Sequence, residues 1–409
     1  MRTRMRRCAA VLVLLSLAAT LHAQGIDRRK DQFPSEFSYF FLPLPYSLPG
    51  IGAGWFIPLA FNNMFGTYAD TYVVLLTGDA TGVVANLEDV HLLSKRLIAR
   101  VFYQGINRAT YRLYTLRGMN TRQEDHQLVE LSEVGGNLGE LLLTFWERRF
   151  ELYVNSWDQT VKATAIRDSK GNLLAQYSPP RKLTFSQTIQ GVLFDLTDDK
   201  YDPRRGVRLR LEYQMSPRKE AAEPSFDVLQ WGLTGYVPVG KISTLALHVF
   251  RSDAHVTSPG DLDPVTAAQR ENCSLLSPYC QALVNNALSH NRNGDAAPLG
   301  GQNLLRGYSD ARFRGAHTLY YGAEFRWNLT EESTPFDYFI WKDVRTNVQI
   351  VFFHEQGSVS ETAATLGKEW RADSGAGLRM VSASGTVYRA DYAVGDEGPN
   401  VTMIINYPF

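Results

Sequence analysis

The sequence predicts an all-β protein, a transmembrane antiparallel β-barrel of sixteen strands. Polar and apolar residues alternate in segments of about ten residues, the length of a tilted strand that crosses a membrane. Apolar residues at helical spacing are scarce. Short and long connections between the segments mostly alternate, which is typical of bacterial outer-membrane barrels.

Residues 1–23 have the pattern of a cleaved secretory signal peptide. Four arginines precede an apolar core, and small residues surround Ala23. A single membrane anchor is the alternative, but the apolar stretch is short for one. Residues 24–49 are too few for a domain, since domains begin at about 50 residues, so we expect a short periplasmic segment there. The barrel is then expected to occupy residues 50–409.

The composition argues against two other classes of protein. The formal net charge of the 409 residues is +0, whereas a nucleic-acid-binding domain normally has a basic excess, so no nucleic-acid partner is expected. Apolar residues make up 44% of the chain without long unbroken runs after residue 23, which argues against an α-helical membrane protein. The sequence contains no recognisable Ser/His/Asp constellation, metal cluster or phosphate loop, so neither an enzyme nor a cofactor is expected.

Two cysteines remain once Cys8 leaves with the signal peptide. Cys273 and Cys280 would meet an oxidising compartment, and their spacing predicts a local disulfide. A metal pair is the alternative, but no His or Cys cluster stands nearby to complete a metal site.

The strand pattern recurs sixteen times. An even number of antiparallel strands places both termini on one side, and the sheet must close because lipid does not tolerate an open edge. Tight turns are predicted to be periplasmic, namely 80–81, 107–108, 239–241 and 383–384, and long connections extracellular, namely 119–136, 161–182 and 257–316. The short turn near Arg148 is predicted to lie outside. The predicted strands are 50–62, 69–79, 82–91, 96–107, 109–118, 137–148, 149–160, 183–196, 206–216, 225–238, 242–256, 317–329, 346–358, 371–382, 385–395 and 400–409.

The stretch LLRGYSDARFRG, residues 304–315, ends the longest connection. Alternation in the flanking strands turns Glu324 and Glu355 inward, and a loop of this length can fold back into the lumen. The Arg306 guanidinium can then bind both carboxylates, which would repel each other without a cation. An exposed loop with solvated arginines is the alternative.

Other residues around this loop follow from the same alternation. Gly307 would let the loop turn tightly near the wall, and Gly357 would leave room for it. Arg379, Arg389 and Asp391 also project inward, and we interpret them as ordinary lumen charges. In the last strand, alternation predicts one lipid-facing set: Val401, Met403, Ile405, Tyr407 and Phe409.

Four stretches in the second half resemble a known family. LRGY at 305–308 resembles a loop motif written V/I-R-G-F/Y, and FHEQG at 353–357 resembles F-x-D-x-G with Glu355 where Asp is usual. DDKYDPRRGVRLRLEY resembles the turn and strand that open the second half of these barrels, and GAGLRM, YRADYAVG and NYPF resemble their last three strands. Together, over about residues 190–409, they resemble the outer-membrane assembly and two-partner-secretion superfamily, the BamA-, TamA- and FhaC-like bacterial surface antigen barrels.

The resemblance implies a location, a function and partners. It implies a Gram-negative outer membrane and a part in the insertion or translocation of proteins there. The alternative is a passive pore or structural protein that retains only the fold, and a soluble β-rich enzyme is a third hypothesis. The implied partners are outer-membrane lipid and lipopolysaccharide, the barrel assembly machinery for the chain's own insertion, and a protein client or periplasmic partner in trans.

The resemblance also implies site residues. It implies a long extracellular loop 6 folded into the lumen and a lumen-loop lock formed by Arg306, Gly307, Tyr308, Glu324, Phe353, Glu355 and Gly357. It further implies that the first and last strands form a seam, and that the last strand is the C-terminal assembly signal. Family members generally carry periplasmic POTRA domains before the barrel. The sequence leaves no room for one, so a barrel-only branch is expected, and functions that need POTRA-mediated capture are in doubt.

Overall fold

The computed structural model describes residues 37–409, apart from 42, 49–51, 94, 115, 219, 272, 331–335, 339–340, 345, 383–386 and 406. The predicted signal peptide and the first part of the predicted periplasmic segment lie outside these described residues.

Sixteen antiparallel strands close into a barrel, in which each strand pairs with its neighbours in sequence and the last pairs with the first. The first strand has two parts, and both pair with the second strand in one continuous register. The strands are β1a (Ser38–Phe41) with β1b (Leu44–Leu48), β2 (Gly52–Asn62), β3 (Asp70–Gly78), β4 (Thr81–Leu93), β5 (Leu97–Tyr114), β6 (His126–Phe145), β7 (Phe150–Arg167), β8 (Leu173–Asp195), β9 (Gly206–Ser216), β10 (Ser225–Val239), β11 (Ser243–Ser258), β12 (His317–Asn328), β13 (Thr346–Ser360), β14 (Arg371–Ser382), β15 (Val387–Gly395) and β16 (Gly398–Ile405).

The connections divide between the two ends of the barrel. Those that follow odd-numbered strands lie on one side, here called the loop side, and include the longest connection, residues 259–316. Those that follow even-numbered strands lie on the other side, here called the terminal side, where β1a begins and β16 ends. The terminal-side connection between β12 and β13 contains a small hairpin of Phe336–Tyr338 and Trp341–Val344.

The predicted number of strands is confirmed, but two errors in their placement offset each other, since one strand was missed and another was predicted as two. Residues 38–41 and 44–48 were predicted to belong to a periplasmic segment, and this is wrong because they form the first strand. Pro43 and Pro45 hide its pattern, since proline cannot donate a ladder bond. Residues 97–114 were predicted as two strands with a turn at 107–108. They form one strand, β5, whose register with β4 shifts between the pairs Gly82 with Ile106 and Thr81 with Arg108, and this irregularity interrupts the alternation.

These two corrections change the side on which several connections lie. The turn at 79–80 lies on the loop side, together with 259–316, and not on the side of the 240–242 turn. The turn at 146–149, which contains Arg148, was predicted to lie outside, and this is wrong independently of the two corrections, because the turn follows β6 and lies on the terminal side. Because of the extra first strand, every connection before β5 lies on the opposite side from the one predicted. Since β5 is one strand and not two, the connections after it return to the predicted order of sides.

Strands β5 to β8 are longer than a membrane crossing requires. They contain 18, 20, 18 and 23 residues, against about 9–11 for a tilted transmembrane strand. Most of the long connections predicted at 119–136 and 161–182 is therefore strand, and the loops themselves are only 115–125 and 168–172. The hairpins extend on the loop side, because β8 continues by fifteen residues beyond its last pairing with β9 at Thr188.

Alternate residues of the second-half strands face opposite environments. Phe352, Leu378 and Tyr392 are each more than half exposed on the outer surface, whereas Glu324 and Glu355 are fully buried inside. An apolar exterior around a polar interior is the pattern of a transmembrane barrel.

The 259–316 connection carries two helices, α1 (Pro264–Arg270) and α2 (Pro278–Asn293). Asp263 accepts hydrogen bonds from the backbone N–H groups of Val265 and Thr266, which caps α1. A disulfide joins Cys273 and Cys280, the pair expected from the sequence, and ties the two helices together. Neither of the described helices combines the length and apolar character needed to span a membrane.

The last strand ends earlier than predicted. Among the described residues, β15 begins at Val387 and its pairing with β16 stops at Tyr388 with Ile405. The prediction that Tyr407 and Phe409 share the lipid-facing side with Val401 and Met403 is wrong, because both aromatic rings turn into the barrel. Val401 is exposed as predicted. The side chain of Ile405 lies outside the described part of the chain.

Candidate functional site

The stretch 304–315 packs inside the barrel against the inner wall. Leu305 and Tyr308 are buried in an apolar cluster that the loop shares with the strands, formed by Met119, Leu299, Leu305, Tyr308, Phe313, Tyr320 and Val359. Leu305 has a left-handed φ of 58°, a conformation that costs about 1–2 kcal/mol for a residue with a Cβ. The surrounding packing therefore holds the backbone in the conformation that aims Arg306 at the wall.

Arg306 is completely buried and makes contacts in four directions. Its backbone N–H and its Nε each donate to Glu355, at 2.8 Å and 2.8 Å. Its Nη1 donates to Glu324 Oε2 at 3.1 Å and to Asp391 Oδ2 at 2.9 Å. The guanidinium carbon lies 3.5 Å from the centroid of the Phe353 ring, within the range of a cation–π interaction.

The wall continues this network with three more arginines. Glu324 also accepts from Arg326 Nε at 2.8 Å and from Arg379 Nη2 at 3.1 Å. Asp391 also accepts from Arg379 and from Arg389, whose Nη2 donates in turn to the carbonyl of Gln302 in the loop at 2.5 Å. With Asp373, these residues form the charged cluster: Arg306, Arg326, Arg379, Arg389, Glu324, Glu355, Asp373 and Asp391.

The charged cluster contains four cations and four carboxylates. Removing one member of such a desolvated set leaves a buried charge without compensation, which costs about 3–5 kcal/mol. The arrangement can therefore hold the loop in one position, but it offers no nucleophile with an adjacent base. Within the described residues, no group of three or more His, Cys, Asp or Glu could hold a metal ion.

Two glycines allow the close approach of loop and wall. The N–H of Gly307 donates to Asp373 Oδ2 at 2.6 Å, and a Cβ on Gly307 would lie 2.7 Å from the Asp373 Cβ. A Cβ on Gly357 would lie 2.5 Å from a methyl carbon of Leu299. No real Cβ tolerates either distance, so a side chain at Gly307 requires the loop or the wall to move, and one at Gly357 requires at least the buried Leu299 side chain to move.

Structure and sequence agree on the central contact and differ on its neighbours. The structure brings Arg306 to Glu324 and Glu355, on the face where Phe353 and Gly357 also lie. The interpretation of Arg379, Arg389 and Asp391 as ordinary lumen charges is wrong, because all three belong to the charged cluster. Arg326 and Asp373 were not predicted, although the alternation in β12 and β14 that turns Glu324 and Arg379 inward applies to them as well.

The loop also bonds to the final hairpin. Asn400 Nδ2, on β16, donates to the carbonyl oxygens of Arg306 and Tyr308 at 2.9 and 3.1 Å. The Tyr308 hydroxyl accepts from the N–H of Asp396 at 3.2 Å. Arg312, fully buried, binds Glu397 in the β15–β16 turn at 2.5 Å and donates to the carbonyl of Thr121 at 2.8 Å. Arg312 was not predicted as a site residue, because its partners come from connections whose positions alternation does not predict.

A separate set of contacts joins three connections on the loop side. Arg117 binds Asp295 and also donates to Glu361 Oε1 at 2.7 Å. Asn293, at the end of α2, donates to Glu361 Oε2 at 2.8 Å. The helical part of the 259–316 connection is thus fixed to the 115–125 and 361–370 connections.

The terminal side of the lumen is filled by the connection 196–205. Arg148 binds Asp89 at 3.0 Å and Glu151 at 2.7 Å, and Lys200 Nζ binds Glu151 at 2.5 Å. Burial lowers the pKa of Lys200 to about 8, and the neighbouring Arg148 charge adds to this shift while Glu151 opposes it. Farther along the connection, Asp202 accepts from Gln349 Nε2, on β13, at 3.0 Å.

The contact that closes the barrel is short. Among the described residues, β1b and β16 share one paired position, Ser47 with Met403. On its other side, β16 pairs with β15 at eight positions, from Tyr388 with Ile405 to Gly395 with Gly398. The seam between β1b and β16 is therefore the weakest strand pairing of the barrel that the structure describes.

Fold and site together define a β-barrel whose lumen is occupied by its own longest connection. Residues 147–400 match the model of the Omp85 superfamily domain, and the chain belongs to this superfamily. It is therefore an outer-membrane barrel.

Solved structures share the fold at low sequence identity. CdiB from Escherichia coli is 12% identical, with a TM-score of 0.50, over 92% of this chain and 67% of that chain. BamA from Haemophilus ducreyi lacking POTRA domains 1–3 is also 12% identical, with a TM-score of 0.49, over 96% of this chain and 77% of that chain. A comparison with curated proteins finds no match. At these identities the likeness extends to the fold alone.

Proposed function

We propose that this protein inserts or translocates proteins at the outer membrane, and that a client strand engages it at the seam between β1b and β16. The observation that carries the proposal is the single paired position of the seam, Ser47 with Met403, against eight on the other side of β16. Each ladder hydrogen bond contributes about 0.5–1.5 kcal/mol net, so the seam is the least costly place to open the sheet. An opened edge adds a strand through main-chain hydrogen bonds, whatever its sequence.

The occupied lumen supports an assembly role over a passive pore. The charged cluster and the contacts of Asn400 hold the loop across the channel, and the 196–205 connection fills the terminal side. A passive pore needs an open lumen and would conduct a wide, steady current. For this barrel we expect small, flickering currents in planar bilayers.

The remaining assignments complete the proposal. Residues 1–23 would direct export and be removed, and the terminal side would face the periplasm with the loop side outside the cell. Lipid and lipopolysaccharide would surround the barrel, and the barrel assembly machinery would insert it. Arg306 and its partners would keep the loop in place while β1 moves, and a protein client or a periplasmic partner in trans would engage the seam.

A cross-link across the seam tests the proposal. The Ser47→Cys, Met403→Cys variant would be oxidised in proteoliposomes and supplied with an eight-stranded outer-membrane barrel kept unfolded in urea. We expect folding of the client to fall to the rate in empty liposomes and to recover on reduction. The matched control, Leu233→Cys with Val249→Cys, cross-links β10 to β11, a pair expected to stay closed.

Two results would decide against the seam. If the oxidised seam variant folds the client as fast as its reduced form, the client does not use the seam. If the unaltered barrel already fails to raise the folding rate above empty liposomes while it conducts a wide, steady current, the passive-pore alternative holds instead.

A further inference from the structure

The segment Tyr407–Phe409 occupies a pocket on the inner wall of the barrel. The Tyr407 hydroxyl donates to Asp202 Oδ1 at 2.8 Å and lies 3.0 Å from Gln349 Oε1. The Phe409 ring stacks on the His248 imidazole, with centroids 4.8 Å apart and planes 4° apart. These contacts come from side chains, since β16 ends at Ile405 and the segment has left the strand ladder.

The pocket has a defined shape and chemistry. A Cβ on Gly322 would lie 2.6 Å from the Tyr320 hydroxyl and 3.1 Å from the Phe409 ring, so the absence of a side chain there leaves space for both rings. The Arg326 guanidinium lies 4.0 Å from the centroid of the Tyr407 ring, which is a cation–π contact. The Tyr236 hydroxyl donates to the Phe409 carbonyl at 3.5 Å, which adds a weak polar contact at the far end.

The pocket retains unused hydrogen-bonding capacity. Arg326 is 1% exposed, and neither of its terminal nitrogens has a hydrogen-bond acceptor in the part of the chain that the structure describes. Buried guanidinium nitrogens are normally bonded, so these two donors are available to an oxygen of a bound ligand. The site thus combines an aromatic slot, a hydroxyl acceptor and a buried cation.

We propose that this pocket is a peptide-binding site, occupied in the structure by the chain's own residues 407–409. Its ligand class is an extended peptide with tyrosine, proline and a second aromatic residue in succession. Asp202 and Gln349 select the tyrosine hydroxyl, Pro408 restricts the backbone to an extended form, and His248 with Gly322 accepts the second ring. The proposal concerns binding and does not rest on the proposed role in client assembly.

Peptide binding to an emptied pocket tests the inference. The Tyr407→Ala, Phe409→Ala variant of the full chain would be purified in detergent, and a fluorescent Asn-Tyr-Pro-Phe amide would be titrated by anisotropy. A tethered segment competes at an effective concentration of about millimolar, so we expect the variant to bind the peptide at least about tenfold more tightly than the unaltered chain. An Asn-Ala-Pro-Ala amide should not bind either protein.

A matched variant separates the pocket from other apolar surfaces. Adding Gly322→Val to the emptied variant places methyl groups where the second ring sits, so binding of the Tyr-Pro-Phe peptide should be lost. Equal binding with and without Gly322→Val, or equal binding to the emptied and unaltered chains, overturns the proposal. Absence of binding to a correctly folded emptied variant overturns it as well.

A second measurement covers the case in which the emptied variant does not fold. Phe409 of the otherwise unaltered chain would be replaced by the photoreactive p-benzoyl-phenylalanine and irradiated in membranes. We expect cross-links to peptides that contain His248 or Gly322. Cross-links only to lipid or to other chains would show that the segment does not occupy the pocket.

Discussion

Along the wall from β12 to β15, three successive strand pairs run for twelve, twelve and nine positions in register, and the charged cluster joins this wall to Arg306 of the loop. At the seam, β16 meets β1b at one position among the described residues. β16 itself belongs with the wall, because Asn400 bonds to the loop and Tyr407 to the 196–205 connection. The barrel thus has one side that is fixed from within and one that is closed only at its edge.

The difference indicates which of the two seam strands, β1b or β16, moves when the seam opens. β1b is held by its pairing with β2 and by Tyr46, whose hydroxyl exchanges hydrogen bonds with Ala80 in the next loop-side turn. Those contacts involve only β1, β2 and the turn that follows β3, and they do not reach the wall. Opening the seam can therefore move β1 together with β2 and β3, while β16 stays with the wall and the loop.

Reversing the charge of Arg306 should have the largest effect, because it removes the main contact that fixes the loop to the wall. Arg306→Glu places a fifth carboxylate among three cations, and we expect a loss of about 3–5 kcal/mol in the free energy of unfolding, measured by urea titration in detergent. Single-channel currents should become larger as the loop leaves the lumen. Arg122→Glu, on an exposed loop residue, is the control and should change stability by less than about 0.5 kcal/mol. Unchanged folding and conductance in Arg306→Glu would show that the loop is not fixed by this residue.

Filling the space at Gly357 should weaken the same wall without changing its charge. Gly357→Val places a Cβ 2.5 Å from the Leu299 side chain and forces the loop side chains packed there to shift, at about 1–3 kcal/mol of unfolding free energy. Gly235→Val on β10 is the matched control, since a Cβ there meets nothing within 4 Å. Urea titrations of both variants check this expectation. Equal losses at the two positions would mean that the effect comes from β-strand glycine in general.

The ion pair of Arg312 and Glu397 tests how firmly β16 is fixed, because it joins the loop to the β15–β16 turn. A double-mutant cycle of Arg312→Gln and Glu397→Gln should give a coupling energy of about 1–3 kcal/mol. The same cycle on Arg251 and Asp253, a more exposed pair, should give about 1 kcal/mol or less. Coupling that is no larger at the first pair would remove this link between loop and seam.

The disulfide should have the smallest effect on the barrel. Cys273→Ser with Cys280→Ser loosens the α1–α2 segment by about 2–3 kcal/mol locally, because the closed loop is short. We expect the urea midpoint of the barrel to stay unchanged while proteolysis between the two helices becomes faster. A lower midpoint would mean that the helical segment supports the wall.

The sequence predicted the second half of the barrel well, and the reasons are physical. β12 alternates between a polar and an apolar side, and Val348, Ile350 and Phe352 mark the outer side of β13, so period two assigns Glu324 and Glu355 to the lumen. β1 carries two prolines and β5 a register shift, and each feature removes the alternation on which a strand assignment depends.

The site was predicted only where strands supply it. Arg306 finds carboxylates whose direction alternation determines, but Arg312 finds Glu397 in a turn and Thr121 in another connection. The direction of residues 407–409 was missed for a related reason. Alternation holds only as long as a partner strand continues, and the pairing of β15 with β16 that the structure describes stops at Ile405.

Amide hydrogen exchange of the barrel in lipid nanodiscs tests most directly whether the seam opens by movement of β1b while β16 stays fixed. Exchange through local opening reports the free energy of each segment, so β1b at residues 44–48 should exchange about 100-fold faster than β13 at residues 346–357. We expect β16 at residues 400–404 to resemble β13, because the loop and the wall hold it. Equal protection of β1b and β16, or faster exchange in β16, would contradict this account.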